Sequence, residues 1–129
     1  FLAGYFAGPQ FGVIAGAAAF IGHCFPLYLN FKGGKGVATF MGTLVAIAPL
    51  MGAITIGVWL VTMLLFRISS LSALIAALAA PIISFYLYGG TSWMATVFMT
   101  LVIFIRHREN ISRITTGTEP RVGSKKKPE

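Results

Sequence analysis

Aspartate is absent from this chain, and its only acidic residues are Glu109, Glu119 and Glu129. Charged residues occupy 10% of the 129 positions, where an ordinary soluble domain carries about a quarter. That scarcity excludes a water-solvated surface over most of the fold. Cysteine is nearly absent as well. Cys24 stands alone, so no internal disulfide is possible, and with no lysine or arginine beside it the thiol reads as a small apolar group at a helix end. The net charge of +7 does not come with basic and aromatic residues interleaved on one soluble face, which excludes a nucleic-acid partner. No metal site and no cofactor are expected, and no internal repeat of roughly 20–50 residues is visible. A signal peptide is also lacking. The sequence opens at Phe1 inside an apolar stretch and reads as the C-terminal part of a longer membrane protein.

What the chain does have is apolar length: 57% of its residues are hydrophobic. The pattern predicts an all-α fold, a polytopic transmembrane helical bundle forming one integral-membrane domain over residues 1–129. Residues 1–8 read as the end of a helix, and Pro9 as a turn. Gln10 to Ile21 is an apolar run rich in Gly and Ala, whose small side chains let helices approach closely. Ala38 to Phe66 is 29 residues without a charge, longer than the roughly 20 that a straight span needs, with Pro49 inside it. One kinked helix competes with two helices that turn near Pro49. If Arg67 shares the cytoplasmic face with Lys35, the chain crosses twice between them, over about 38–48 and 50–66. The first crossing would then be short, about 17 Å at 1.5 Å per residue. Ile68 to Leu71 reads as a turn, Ser72 to Tyr88 as a span, Gly89 to Ser92 as an outer break with Trp93 as an interfacial anchor, and Met94 to Ile105 as the last span. Residues 107–129 form a cytoplasmic tail, in which Lys125–Lys127 read as a solvated or lipid-contacting run.

Chemistry concentrates in two places. Between the second and third segments lies Phe31-Lys-Gly-Gly-Lys-Gly-Val-Ala-Thr39. Gly33, Gly34 and Gly36 let the backbone turn and expose N–H groups, Lys32 and Lys35 add charge, and a helix N-terminus follows at Val37. This is an anion site at a membrane surface, with phosphate the natural ligand. Lys32 has a plainer reading as a snorkelling side chain, and His23 as a helix-end residue. The second cluster follows the last span. Arg106, Arg108 and Arg113 carry charge suited to anions, although Arg-His-Arg after a span is also an ordinary stop-transfer signature. His107 and Asn110 are three apart and share a helix face, which pairs a proton-transfer group with a hydrogen-bonding one. Glu119 reads as structural, pairing with an arginine.

Taken together, the two motifs resemble the PlsY family of bacterial membrane acyl-phosphate:glycerol-3-phosphate acyltransferases. The residues that carry the resemblance are Gly22-His23-Cys24-Phe25-Pro26, Phe31 to Thr39, Arg106-His107-Arg108-Glu109-Asn110-Ile111-Ser112-Arg113 and Gly117-Thr118-Glu119-Pro120. The resemblance implies the last part of a seven-helix fold, in the bacterial inner membrane, with its site facing the cytoplasm. It implies glycerol 3-phosphate and a fatty acyl phosphate as substrates, and lysophosphatidate and inorganic phosphate as products of acylation at the 1-hydroxyl. His107 and Asn110 take the catalytic positions. Lys35, Gly33, Gly34, Gly36 and Thr39 take the phosphate-binding positions, with His23, Arg113 and Glu119 in support. The family's upstream loop, with an essential Ser and Arg, has no counterpart here, so residues 1–129 alone are not expected to assemble the complete site. A transporter fragment for a small phosphate ester is the alternative; the clustering of the basic residues at one surface, with no charge near the midplane, argues against it.

Overall fold

The computed structural model describes residues 2–26 and 33–124, and every described element is an α-helix. In order they are α1 (Leu2–Ala7), α2 (Pro9–Cys24), α3 (Val37–Ile47), α4 (Pro49–Phe66), α5 (Ser69–Leu87), α6 (Gly90–Arg106) and α7 (Arg108–Thr115).

Prolines set two of the helix starts. Pro9 and Pro49 both stand in the first turn of a helix, where the missing N–H is no loss and the fixed φ suits the helix. The residue before a proline is driven out of the helical region, and Ala48 accordingly sits at φ −146°, ψ 89°. The long uncharged run is therefore two helices broken at Ala48, not one kinked helix. They fold back on each other so tightly that a Cβ at Gly52 would stand 2.6 Å from the Val45 Cα.

Pro81 sits inside α5 without ending it. It cannot donate to the Ala77 carbonyl four residues earlier. Thr100 on α6 donates Oγ1–H to that carbonyl instead, at 2.7 Å, which satisfies the backbone group and ties α5 to α6. α5 and α6 also reach further than the sequence pattern indicates. Ser69 and Ser70 belong to the first turn of α5, and Thr91 and Ser92 to that of α6, after a turn with positive φ at Gly89 and Gly90.

The core is narrow. Phe20, Phe40, Leu44, Met51, Met99 and Ile103 are its bulk, with Phe20 and Phe40 edge-to-face at 6.2 Å between centroids. The outside is apolar: Leu64, Leu65 and Tyr86 are 79%, 71% and 80% exposed. α4 and α5 are each long and apolar enough to cross a membrane, with a mean hydropathy of 2.0, and α3 and α6 are shorter apolar helices. Between α2 and α3 runs an apolar groove of about 590 Å³, lined by residues such as Gly12, Gly16, Ala19, Thr39, Gly42 and Thr43.

Arg67 is the sole non-glycine residue with positive φ among the described residues, at 57°, and it closes α4 in the left-handed conformation. Its carbonyl accepts the Val122 N–H at 2.7 Å, and its guanidinium lies against Gly123. This strap brings the segment after α7 to the α4–α5 turn, so Arg67 sits at the same end of the bundle as the second cluster.

Candidate active site

The end of α2 and the glycine loop are built against each other. A Cβ at Gly34 would stand 2.8 Å from His23 Nε2, and one at Gly36 would stand 2.5 Å from Cys24 Sγ and 2.6 Å from the Phe20 ring. Gly36 also has φ 78° and precedes α3 without a side-chain cap, so the first N–H groups of α3 have no side-chain acceptor there. Arg106, the last residue of α6, grips the loop from the other side. Its Nε–H donates to the Gly34 carbonyl at 3.2 Å and Nη2–H donates to the Gly33 carbonyl. Its guanidinium lies 5.3 Å from the centroid of the Phe25 ring, a cation–π distance. Carbonyl and N–H of a trans peptide point opposite ways, so the N–H groups of Gly34 and Lys35 are turned away from Arg106. Lys35 itself makes no hydrogen bond or ion pair among the described residues and is exposed.

Past Arg106 the chain bends at His107 (φ −100°, ψ 9°) and enters α7. His107 is 1% exposed, with Nδ1 2.8 Å from the Ile103 carbonyl. A carbonyl can only accept, so Nδ1 carries the proton and Nε2 is the acceptor nitrogen of the neutral ring. Burial holds its pKa below the usual histidine value. The Ile103 hydrogen bond opposes that, the Lys35 charge reinforces it and the Glu119 charge opposes it.

Glu119 is the hub. Ser70 Oγ–H and Asn110 Nδ2–H donate to Oε1 at 2.5 and 2.6 Å, and Arg113 Nε–H donates to Oε2 at 2.6 Å. Burial alone raises the pKa of this carboxyl, but the three hydrogen bonds and the Arg113 charge outweigh it and hold the group below its ordinary value. An ionised carboxylate has no proton to give, so the Asn110 amide must face it with nitrogen. Asn110 Oδ1 is left buried and without a partner among the described residues.

These parts enclose a cleft of about 320 Å³ lined by Lys35, Val37, Trp59, Ser69, Ser70, Ala73, His107, Asn110 and Glu119, at the small end of ligand pockets. A second hollow of about 350 Å³ adjoins it. That hollow shares Lys35 and Asn110 with the cleft and adds Gly33, Gly34, Arg106 and Arg108 among its walls.

The family model described as Glycerol-3-phosphate acyltransferase matches residues 1–117. This chain belongs to that family. It is 52% identical over 126 residues to a glycerol-3-phosphate acyltransferase of Dinoroseobacter shibae, covering 98% of this chain and 62% of the relative. It is 50% identical to one of Maricaulis maris, covering 95% and 57%, and 48% identical to one of Jannaschia sp., covering 95% and 61%. The chain thus spans about three-fifths of the length of the curated relatives it matches. Two crystal structures of PlsY (YgiH), an integral membrane glycerol 3-phosphate acyltransferase, superpose on it at 34% identity. The glycerol 3-phosphate form gives a TM-score of 0.89, over 95% of this chain and 62% of that one. The lysophosphatidic acid form gives 0.88, over 95% and 64%. The fold is therefore that of a transmembrane helical bundle of this acyltransferase family.

Of the residues singled out in the sequence, Lys35, His107, Asn110 and Glu119 meet in the cleft, and Gly33 and Gly34 line the adjoining hollow. His23 backs the loop, Gly36 starts α3 against Cys24, and Arg113 holds Glu119 from the half-exposed side. Thr39 does not join them: it lines the apolar groove. Arg106, one of the cations read as suited to anions, has its guanidinium on loop carbonyls. Lys32 and Lys125–Lys127 lie outside the described residues. Sequence reasoning missed Ser70, taken as part of a turn, and Trp59, which sits unremarked in an apolar run.

Proposed function

We propose that this protein transfers a fatty acyl group from an acyl phosphate to the 1-hydroxyl of glycerol 3-phosphate. The observation that carries the reading is the cleft, where a lysine with no partner among the described residues, a buried neutral histidine and an asparagine carbonyl converge beside a glycine loop and a helix N-terminus. Both substrates carry a phosphate, and the two adjoining hollows that share Lys35 and Asn110 suit two phosphates side by side. Lys35 and the N–H groups of the loop, with Gly33, Gly34 and Gly36 as its pivots, neutralise phosphate charge. The hydroxyl oxygen attacks the acyl carbon, and the bond from that carbon to the phosphate oxygen breaks. The hydroxyl proton passes to Nε2 of neutral His107, which returns it to the departing phosphate. The mixed anhydride is already activated, so positioning and charge stabilisation supply most of the acceleration. The products are lysophosphatidate and inorganic phosphate. The concentration of basic residues at this end of the bundle supports a cytoplasmic orientation in the bacterial inner membrane.

Membranes carrying the natural full-length protein, given glycerol 3-phosphate, form lysophosphatidate with acyl phosphate and not with acyl-CoA. Product with acyl-CoA alone refutes the donor assignment. No product with either donor, against movement of glycerol 3-phosphate across sealed vesicles, favours a transporter.

A further inference from the structure

Two buried polar atoms of cleft residues have no partner among the described residues, and they are of opposite kind. Trp59 Nε1 can only donate, and Asn110 Oδ1 can only accept. Folded proteins rarely leave such groups unpaired, because each gives up its water without replacement. Among the described residues one other such atom is found, Ser84 Oγ. It is 14 residues beyond Ser70 along α5, about 21 Å at the helical rise, and belongs to no part of the cleft.

Trp59 is on α4, eight residues before the cap residue Arg67 and so about 12 Å from the α4–α5 turn at the helical rise, and it lines the cleft together with the apolar Val37 and Ala73. An indole N–H in that position makes no hydrogen bond among the described residues. A ligand atom that satisfies both orphans must donate and accept at once. A phosphate oxygen suits Trp59 but is repelled by an amide oxygen. An ammonium suits Asn110, offers Trp59 nothing and meets the charge of Lys35. An alcohol hydroxyl suits both. Because Glu119 fixes which way the Asn110 amide points, the cleft keeps its acceptor fixed in place.

We propose that Trp59 is a substrate-binding residue, whose indole N–H donates to a hydroxyl of the phosphate-bearing alcohol while Asn110 Oδ1 accepts from the hydroxyl part of the same molecule. The pair selects a hydroxylated phosphate ester over a plain one. This rests on the reading of the cleft as the glycerol 3-phosphate site and extends it to a residue outside both motifs.

The test uses the natural full-length protein in detergent and two ligands with the same carbon chain and charge, sn-glycerol 3-phosphate and propyl phosphate, which has no hydroxyl. Calorimetry is expected to show tighter binding of glycerol 3-phosphate. Trp59→Phe is expected to weaken that ligand about three- to tenfold, as for one lost hydrogen bond, and to leave propyl phosphate unchanged. Equal weakening of both ligands would mean that Trp59 only packs, and no weakening of either would mean that it does not touch substrate; each overturns the proposal. To guard against misfolding of the variant, 5-fluorotryptophan placed at position 59 keeps the N–H. Its fluorine resonance is expected to move with glycerol 3-phosphate and not with propyl phosphate, and equal movement with both overturns the proposal. If the wild type binds propyl phosphate as well as glycerol 3-phosphate, hydroxyl selection is wrong while the phosphate site stands. If it binds neither, the reading of the cleft itself fails, and the role of Trp59 falls with it.

Discussion

Two of the hollows in this bundle differ in a way that size conceals. The groove between α2 and α3 is the roomier, about 590 Å³ against about 320 Å³ for the cleft, yet no charged residue lines it. Its shape follows from local composition. Gly12, Gly16, Ala19, Gly42 and Ala46 leave space wherever two helices cross, and neighbouring residues suffice to make it. The cleft has to be assembled. Its polar side chains come from the α2–α3 loop, α4, α5, the bend at His107, α7 and the segment after it, and the parts are tied by hydrogen bonds spanning 49 and 73 residues. Volume in a helical bundle is a by-product of small side chains, whereas oriented polarity requires cross-links between distant parts of the chain.

The largest effect expected from breaking this contrast is at the hub. Glu119→Ala deprives Ser70, Asn110 and Arg113 of one shared acceptor. Breaking a buried pair typically costs 3–5 kcal/mol; with Arg113 at 41% side-chain exposure the lower end applies, about 3 kcal/mol. Acyl transfer should fall at least about a hundredfold and the detergent melting temperature should drop. Activity within threefold of wild type would show that the cleft is not held this way. Next comes the ligand itself. Lys35→Ala removes the proposed charge-assisted phosphate contact and should raise the apparent KM for glycerol 3-phosphate about ten- to a hundredfold, while Thr39→Val, in the groove, changes it less than about twofold. Equal effects would merge the two hollows into one site.

A third substitution sharpens the contrast from the groove side. Even a Cβ at Gly16 would stand 2.6 Å from Thr43 Cγ2 and 3.0 Å from Ile47 Cδ1. Gly16→Leu should therefore push α2 from α3 at about 1–3 kcal/mol, lowering the melting temperature without changing affinity for glycerol 3-phosphate. The smallest effect is in pH. His107 is depressed by burial and by Lys35, and its neutral form is the one proposed to act. Turnover at saturating substrate should then persist below the ordinary histidine value of about 6.5 and fall as pH drops through the depressed pKa. Lys35→Gln removes one depressing charge, so the acid limb should move to higher pH. A limb that stays in place, or moves down, contradicts the assignment of His107.

Much of this was legible in the residues. Pro49 signalled the break that the structure puts at Ala48, and parity of charge put Arg67 with Lys35 and His107, as the strap to Val122 and the shared cleft now do. Where the structure adds to that reading, the reasons are physical. Thr39, Gly42, Thr43 and Ala46 recur at helical spacing and line one apolar face, whereas the reading of Thr39 as a phosphate-binding residue came from its neighbours in the motif. Arg106 showed its charge and not its acceptors, because backbone carbonyls carry no mark in a sequence. Ser70 and Trp59 escaped because a hydroxyl at a helix start and an indole in an apolar span are both ordinary, and only tertiary packing brings them to one cleft.

The hydrogen bond from Ser70 to Glu119 also has a consequence in time. Ribosomes add roughly 5–20 residues per second, so the 49 residues between these partners take about 2–10 s to follow Ser70 out. During that interval α4, α5 and α6 can emerge toward the bilayer before the carboxylate that orients Asn110 has left the ribosome. The helices can thus be in place before the cleft is, and a chain ending before residue 119 would lack the carboxylate that closes it.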